Sequence, residues 1–382
     1  MNANLRFTDS PTRPFGGFYR GKRVLVTGHT GFKGSWLCLW LLELGASVAG
    51  FSLYLPSHPC NFEAINLKKR IAHYKGDIRN VEELKKVFDE FKPQIVFHLA
   101  AQSIVRRSYD EPKLTFDTNL GGTVNILECI RTYPFVRAAI IITSDKCYRN
   151  VEWEWGYREN DILGGDDPYS ASKACAEIAC RAYIKSYFNK EDAPKIATTR
   201  AGNVIGGGDW AKDRIIPDCV RAWSKGGKAI IRKPEATRPW QHVLEPLSGY
   251  LWLGANLINN PDNIAGEAFN FGPDNKVIKS VRELVNLFLK FWGNGSWEHG
   301  PLEQEKREST LLKLCCDKAL HRLGWHSILS FDETVRLTAE WYKNYYNKKS
   351  DIYKFSCSQI DFYVKKAIEQ KMPWAIGGLI SD

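Results

Sequence analysis

The sequence has no long hydrophobic run, and this limits the classes of protein to which it can belong. The longest apolar stretch near the N-terminus, residues 36–42, is interrupted by Glu43 and is far shorter than the roughly 20 residues of a membrane-spanning helix. The segment before it has no apolar core of the kind that a secretory signal requires. We therefore expect a soluble, cytoplasmic protein without a membrane partner.

The patterns that indicate zinc binding or nucleic-acid binding are also missing. The ten cysteines form no CxxC pair and no CxxC…HxxxH spacing, so we expect no metal site. Lysine and arginine outnumber aspartate and glutamate by 53 to 43, which gives a net charge of +10. These basic residues are scattered and form no block of five, which argues against a nucleic-acid partner. A dispersed excess of this kind is compatible with a small substrate that carries a diphosphate.

Short apolar runs alternate with helix-period segments through the first half of the 382-residue chain. The predicted strands are residues 23–27, 48–51, 94–99, 138–144 and 196–199. The predicted helices between them are residues 35–44, 81–91, 123–131 and 172–188. Strands that alternate with helices at this spacing predict an α/β fold, a Rossmann-like doubly wound parallel sheet.

The composition changes after Ala201, where glycine, proline and tryptophan become common and the strands become short. Helical patterns return at residues 281–292, 318–323 and 332–346. The length is sufficient for two packed domains. We expect a dinucleotide-binding domain over residues 1–200 and a smaller C-terminal α/β substrate-binding lobe over residues 201–382, and the chain can cross between them more than once.

The first chemical motif is a GxxGxxG sequence formed by Gly28, Gly31 and Gly34, with Phe32 and Lys33 inside it. It lies between a strand and a helix, where glycines let the backbone approach a pyrophosphate at the helix N-terminus. This context predicts dinucleotide binding. The spacing resembles that of the short-chain dehydrogenase/reductase superfamily.

The second strand ends without the acidic residue that usually binds the ribose hydroxyls of NAD. Residues 49–53 read AGFSL. This site therefore does not distinguish NAD from NADP, and Lys33 could favour a ribose phosphate.

The second motif is YxxxK, formed by Tyr169 and Lys173 on a predicted helix. One helical turn separates them, so the two side chains share a face. A lysine ammonium near a phenol favours the phenolate and lowers the phenol pKa, which makes tyrosine a usable base. The motif follows the strand end at Thr143 and Ser144, in the order that the superfamily uses. We predict that Ser144, Tyr169 and Lys173 are catalytic.

Other strand ends resemble the cofactor contacts of the same superfamily, although each is equally compatible with an ordinary strand end. The predicted positions are Asp77, Ile78, Leu99, Ala100, Ala101, Gln102 and Thr143. Asn119 resembles a structural asparagine of the superfamily that holds an active-site water chain.

An acid and an amine, Asp145 and Lys146, directly follow Ser144. Nucleotide-sugar 4,6-dehydratases of the dTDP-glucose type usually carry Asp-Glu here, as acid and base for the loss of water. The Asp-Lys pair, together with residues 28–36, 155–160, 200–214 and 238–247, resembles the CDP-glucose branch of that family. The alternative role for the pair is a salt bridge or a cofactor contact.

The resemblance implies a reaction and a set of substrate contacts. Bound NAD would be recycled: Tyr169 would take a proton from the sugar 4-hydroxyl during oxidation, water would leave across C5 and C6, and the hydride would return to C6. The substrate would be CDP-glucose, and the product would feed the synthesis of deoxysugars in bacterial surface polysaccharide and O-antigen. The implied substrate contacts are Asn203, Arg214, Arg238 and Arg307, the last in a segment that departs from the family pattern. A homodimer or higher homo-oligomer is also expected.

Two questions stay open at this level. Lys146 is either the base for the C5 proton, which requires a lowered pKa that Asp145 opposes, or a charged group that stabilises the enolate. A 4-epimerase or reductase of the same fold, or a non-catalytic NAD sensor, is an alternative function. The intact Ser144, Tyr169 and Lys173 argue against the sensor.

Overall fold

The computed structural model describes residues 13–274, 278–300 and 311–377. The strands are β1 (Arg23–Thr27), β2 (Ser47–Ser52), β3 (Ala72–Lys75), β4 (Ile95–His98), β5 (Ala138–Ile142), β6 (Lys195–Arg200), β7 (Val204–Ile205), β8 (Lys228–Ile231), β9 (Thr237–Arg238), β10 (Gln241–His242), β11 (Ala268–Asn270), β12 (Lys279–Ser280) and β13 (Ser296–His299). The α-helices are α1 (Phe32–Glu43), α2 (Asn61–Ala64), α3 (Val81–Phe91), α4 (Val105–Asp110), α5 (Pro112–Phe116), α6 (Gly122–Thr132), α7 (Pro168–Tyr187), α8 (Ile215–Trp223), α9 (Leu244–Asn259), α10 (Val281–Trp292), α11 (Asp317–Leu323), α12 (Phe331–Asn347), α13 (Ile352–Glu369) and α14 (Pro373–Ile376).

Seven strands form one sheet in the order β11-β6-β5-β4-β1-β2-β3, and every pair in it is parallel. The predicted Rossmann-like doubly wound sheet is therefore confirmed. The strand order reverses between β1 and β4, which are neighbours although β2 and β3 separate them in the chain. Ligands of open parallel sheets bind in the crevice outside the carboxyl ends of the strands at such a point.

Helices cover both faces of this sheet, which explains why its central strands are rich in apolar residues. All five residues of β5 are buried. Successive side chains of β1 point to opposite faces, so Val24 and Val26 belong to one hydrophobic core and Leu25 to the other. The sheet is thus a rigid layer between two cores, and the loops at its carboxyl edge are held in fixed positions.

The second half of the chain contributes to the large sheet as well as to smaller units. β11 pairs with β6, with Ala268 opposite Thr198. The remaining short strands form the two-stranded sheets β10-β7, β12-β9 and β13-β8. The division at residue 200 stays a prediction, and β11 shows that the chain returns to the sheet after it.

Helix α7 begins four residues before its predicted start, because Asp167 caps it. The Asp167 side chain accepts a hydrogen bond from the Ser170 N–H, and Pro168 occupies the first helical position. Tyr169 and Lys173 consequently lie in the first two turns of α7, beside the carboxyl edge of the sheet. Among the described residues, no helix is both long and apolar enough to cross a membrane.

Candidate active site

A cleft of about 830 Å³ opens at the carboxyl ends of the sheet strands. Every predicted site residue in the described ranges lines it: Gly28, Gly31, Phe32, Lys33, Gly34, Asp77, Ile78, Leu99, Ala100, Ala101, Gln102, Thr143, Ser144, Asp145, Lys146, Tyr169, Lys173, Asn203, Arg214 and Arg238. Arg307 lies outside the described residues. The structure thus brings together positions that are up to about two hundred residues apart, while their individual roles stay predictions.

The glycine turn between β1 and α1 is too tight for side chains at two of its glycines. Gly28 has φ +73°, and a Cβ there would lie 2.7 Å from the backbone nitrogen of Ala100. A Cβ on Gly34 would lie 2.3 Å from the carbonyl oxygen of Gly28. Helix α1 begins directly after Gly31, which supplies no side-chain cap, so its first N–H groups are available to an anion.

Three cations converge on this end of the cleft. Burial lowers the pKa of Lys33 to about 8; Asp145 raises it, and the charges of Arg214 and Lys173 lower it further. Mutual repulsion between buried cations is relieved by a bound anion. The glycine turn and Lys33 fit the pyrophosphate of a dinucleotide, and the other two cations make the adjoining part of the cleft suitable for anionic or polar ligands.

At the end of β2, where an acid would usually bind the ribose, the Ser52 hydroxyl lies beside two imidazoles, His29 from the β1–α1 turn and His73 from β3. Ser52 Oγ lies 3.0 Å from His29 Nδ1, and His29 Nε2 lies 2.7 Å from His73 Nδ1. Burial, followed by the neighbouring His73, lowers the pKa of His29 to about 3. Both ring nitrogens of His29 are therefore committed to neutral hydrogen bonds rather than to a charge.

Tyr169, Ser144 and Lys173 meet where α7 passes the end of β5. Ser144 forms a hydrogen bond with the Tyr169 phenol, and Lys173 Nζ donates to the carbonyl oxygen of Ile142 at 3.3 Å. Both Tyr169 and Lys173 are buried. Helical spacing places their polar atoms on the one face of α7 that looks into the cleft.

In the protein alone, the pKa of Tyr169 is raised to about 12. Burial is the main cause; the Ser144 hydrogen bond lowers the pKa, Asp145 raises it and Arg214 lowers it. The lowering of this pKa that we expected from Lys173 is not observed: burial of the phenol dominates, and Lys173 is not among the main groups that shift the pKa. Burial also lowers the pKa of Lys173 itself to about 8.

Asp145 and Lys146 lie in a 3₁₀ turn (Asp145–Cys147) that begins at Ser144. Ser144 Oγ donates to Asp145 Oδ1 at 2.9 Å, and the Lys146 N–H donates to Ser144 Oγ at 3.2 Å. Asp145 is buried against Gly202, whereas Lys146 is half-buried. Among the described residues, the two side chains form no ion pair with each other, and their roles stay predictions.

The far side of the cleft is rich in arginine. Arg214 pairs with Asp209 at 2.7 Å, and Arg238 donates to the carbonyl oxygen of Thr237 at 2.7 Å. Asn203 adopts a left-handed backbone conformation with φ +47° at the end of the loop after β6. Arginine binds phosphate with two parallel hydrogen bonds, which suits this surface to a diphosphate.

Sequence analysis missed several residues that the structure brings to or beneath the cleft. Arg106 and Arg232 both line it, each 3.7 Å from Asp213 Oδ1. They belong to segments far apart in the sequence and to no recognisable motif, so no local pattern could identify them. Glu177 lies beneath the predicted catalytic residues, and its position one turn after Lys173 on α7 was the available signal.

Comparison with known proteins agrees with this geometry. Residues 25–338 match the model of a protein family described as GDP-mannose 4,6 dehydratase. The CDP-glucose 4,6-dehydratase of Salmonella typhimurium is 48% identical over 331 residues, which are 85% of this chain and 92% of that protein.

Two solved structures share the fold. The epimerase Mth375 of Methanothermobacter thermautotrophicus is 26% identical with a TM-score of 0.76, covering 88% of this chain and 97% of that one. The dTDP-glucose 4,6-dehydratase of Streptomyces venezuelae, solved with NAD bound, is 25% identical with a TM-score of 0.73, covering 86% and 99%.

Proposed function

Because this chain belongs to the GDP-mannose 4,6-dehydratase family of nucleotide-sugar dehydratases, we propose that it converts CDP-glucose to CDP-4-keto-6-deoxyglucose. The reaction makes it a hydro-lyase. The observation that carries the proposal is the position of Asp145 and Lys146 directly beside Ser144, Tyr169 and Lys173 in one cleft. Oxidation alone requires only the last three residues, whereas the loss of water requires a further acid and a further group that assists proton removal.

The chain's own residues fit NAD. The glycine turn, the N-terminus of α1 and Lys33 would hold its pyrophosphate, while Lys173 would contact the nicotinamide ribose. When bound, NAD would supply reversible hydride transfer, with oxidation at C4 of the sugar and return of the hydride to C6 while C5 regains a proton.

Tyr169 would act first, as the base that takes the proton of the sugar 4-hydroxyl. Its raised pKa keeps the phenol protonated in the protein alone. The buried Lys173 ammonium would favour the phenolate, and the Ser144 hydroxyl, turned away from Asp145, would donate a hydrogen bond to the same oxygen or to the substrate hydroxyl. These two groups would therefore lower the cost of forming the phenolate once the substrate is in place.

Asp145 and Lys146 would act after oxidation, when the 4-ketone has made the C5 proton acidic. Asp145 would give a proton to the departing C6 hydroxyl. Lys146 would either remove the C5 proton or stabilise the enolate as a cation. In both roles Lys146 acts after the first oxidation step. A simple epimerase loses no water at that stage and so needs neither an acid nor a base for elimination.

Substrate selection would involve the arginine-rich side of the cleft. Asn203, Arg214 and Arg238 would contact the diphosphate, and Arg307 would be a further contact. The cytidine base is proposed from the 48% identity to the Salmonella enzyme. We further propose that the protein is a homodimer or higher homo-oligomer in the cytoplasm. Its product would supply deoxysugars for surface polysaccharide.

The test is to offer CDP-, dTDP-, UDP- and GDP-glucose with NAD, and to measure the mass of each product. We expect CDP-glucose to lose one water and to become a keto sugar. Conversion of only another nucleotide sugar would refute the cytidine assignment, and a product that keeps its 6-hydroxyl would refute the dehydratase assignment. The Tyr169→Phe variant is the control for conversion by contaminants.

A further inference from the structure

Glu177 is a buried carboxylate on the same helix as Tyr169 and Lys173, one turn beyond Lys173. It accepts a hydrogen bond from the Thr143 hydroxyl and one of 2.8 Å from the Thr198 hydroxyl. Arg200 donates two hydrogen bonds to the carboxylate, from Nε to Oε1 at 3.0 Å and from a terminal nitrogen to Oε2 at 2.9 Å. A charged side chain with so many partners is costly to bury and holds its neighbours in one geometry.

Two of the partners of Glu177, Thr143 and Arg200, lie at the ends of the strands that carry the proposed catalytic residues. Thr143 immediately precedes Ser144 at the end of β5. Arg200 ends β6, two residues before Gly202, against which the Asp145 carboxylate lies. Glu177 therefore connects α7 to the end of β6 through Arg200 and to the end of β5 through Thr143.

Hydrogen bonds continue from the Glu177–Arg200 pair to residues in the second half of the chain. Arg200 donates to the Tyr148 hydroxyl at 2.7 Å, and that hydroxyl donates to Asn270 Oδ1 at 2.8 Å. The Asn270 amide donates to the carbonyl oxygens of Tyr157 and Cys315. The loops that contain Tyr157 and Cys315 are thereby connected to α7 through Asn270, Tyr148 and Arg200.

We propose that Glu177 is a positioning residue of the active site: through Thr143 and Arg200 it holds α7, with Tyr169 and Lys173, in register with Ser144 and Asp145. The inference rests on the proposed function, because it assumes that Tyr169 and Lys173 act on the substrate. Glu177 itself lies beneath the cleft and is not one of the residues that line it.

The charge of Glu177 also reaches Lys173. Burial raises the pKa of Glu177, but the charge and hydrogen bonds of Arg200 and the two threonine bonds outweigh this and lower it overall. For Lys173, burial lowers the pKa, and Glu177, Cys147 and Cys180 raise it. The other titratable groups that interact with Lys173 are Lys33 and His98. Glu177 is the carboxylate among these groups, and its negative charge stabilises the Lys173 ammonium. Removal of this charge should therefore lower the pKa of Lys173.

The experiment compares Glu177→Gln with the wild type in NAD binding, kcat, KM and the pH profile of kcat, using the full chain with NAD and CDP-glucose. We expect unchanged NAD binding and a KM within about threefold. We expect kcat to fall at least about tenfold, and the alkaline limb of kcat to move down by on the order of one pH unit. Glu177→Asp keeps the charge, so it should restore the alkaline limb while kcat recovers only in part.

Glu177→Gln leaves Arg200 as an unpaired buried cation and could fail to fold. The double variant Glu177→Leu/Arg200→Met removes both charges with side chains of similar volume, and it should show the same loss of kcat and the same shift. Thr198→Val is the matched control, because it removes one bond to the same carboxylate but leaves Thr143, Arg200 and the charge. We expect its kcat to stay within about twofold of the wild type.

Wild-type kcat in a folded Glu177 variant would overturn the inference. A fall in kcat with an unmoved alkaline limb would also overturn it, because a purely structural role predicts that result. A wild-type protein that converts none of the nucleotide sugars would refute the proposed function, and this inference with it.

Discussion

The carboxylate of Asp145 lies directly against the backbone of Gly202, at the end of the neighbouring strand. A Cβ on Gly202 would be 1.8 Å from Asp145 Oδ2, a distance at which one of the two groups must move. Glycine at position 202 therefore makes room for the acid that we propose to protonate the leaving hydroxyl.

Gly202→Ala should displace Asp145 and slow dehydration at least about tenfold, since misplacing a catalytic group by about 1 Å can cost on the order of a hundredfold. Steady-state formation of the keto sugar measures this. Gly121→Ala is the control, because a Cβ there meets no atom within 4 Å. Equal rates in the two variants would show that the contact with Asp145 is irrelevant to the reaction.

Tyr169→Phe should reduce oxidation of the sugar by on the order of a hundredfold or more, because the ring remains but the proton acceptor is gone. NAD binding should survive, since Lys173 is retained. Single-turnover absorbance of the reduced nicotinamide measures the step. Tyr183→Phe, on the same helix but outside the residues that line the cleft, should oxidise the sugar normally. Near-normal oxidation by the Tyr169→Phe variant would remove Tyr169 from the mechanism.

Lys146→Met should still reduce bound NAD when given CDP-glucose, yet stop at the 4-keto-hexose without losing water. The reason is that both proposed roles of Lys146 follow the first oxidation. Nicotinamide absorbance combined with mass analysis of the sugar separates the two steps. The exposed Lys185→Met is the charge-matched control. If the Lys146 variant forms no reduced cofactor, the residue acts earlier; if it dehydrates normally, the residue is a structural or cofactor contact.

Glu245 should make the stability of the protein depend on pH. It is buried at the start of α9, where burial raises its pKa to about 7, and it accepts bonds from the N–H groups of Ile328 and Leu329 and from the Tyr363 hydroxyl. Because the pKa of Glu245 is higher in the folded state than in the unfolded state, its contribution to the free energy of unfolding is fully present below about pH 4.5. This contribution is lost as the pH rises through about 7. The loss should be on the order of 3 kcal/mol for this group.

Glu245→Gln mimics the protonated carboxyl, so it should flatten the decline in Tm between about pH 5 and pH 8. Thermal unfolding at several pH values, with NAD absent, is the measurement. An identical decline in the wild type and in the variant would assign the pH dependence to other groups.

The sequence alone could predict the elements whose signals are local. Helices α3 and α10 have the predicted bounds, because Asn80 and Ser280 cap them and their apolar residues recur at helical spacing. The glycine motif and the YxxxK motif lie in the cleft as expected. Parallel strands with both faces covered are recognisable as apolar runs, which is why the sheet could be predicted.

Features that depend on distant contacts could not be predicted. β11 has three residues and no periodicity, and only its pairing with β6 makes it a strand. The Glu177–Arg200 pair joins residues on separate elements. The pKa of Tyr169 was predicted from Lys173 alone, whereas burial by the surrounding chain decides it.

The most direct test of the whole account uses CDP-glucose that carries deuterium at C4. If the chain's residues direct an internal transfer, the product should be a keto-deoxy sugar that has lost one water and carries the deuterium at C6, with no net accumulation of NADH. Loss of the label to solvent, or release of one NADH for each sugar, would show a plain dehydrogenase and would contradict the account.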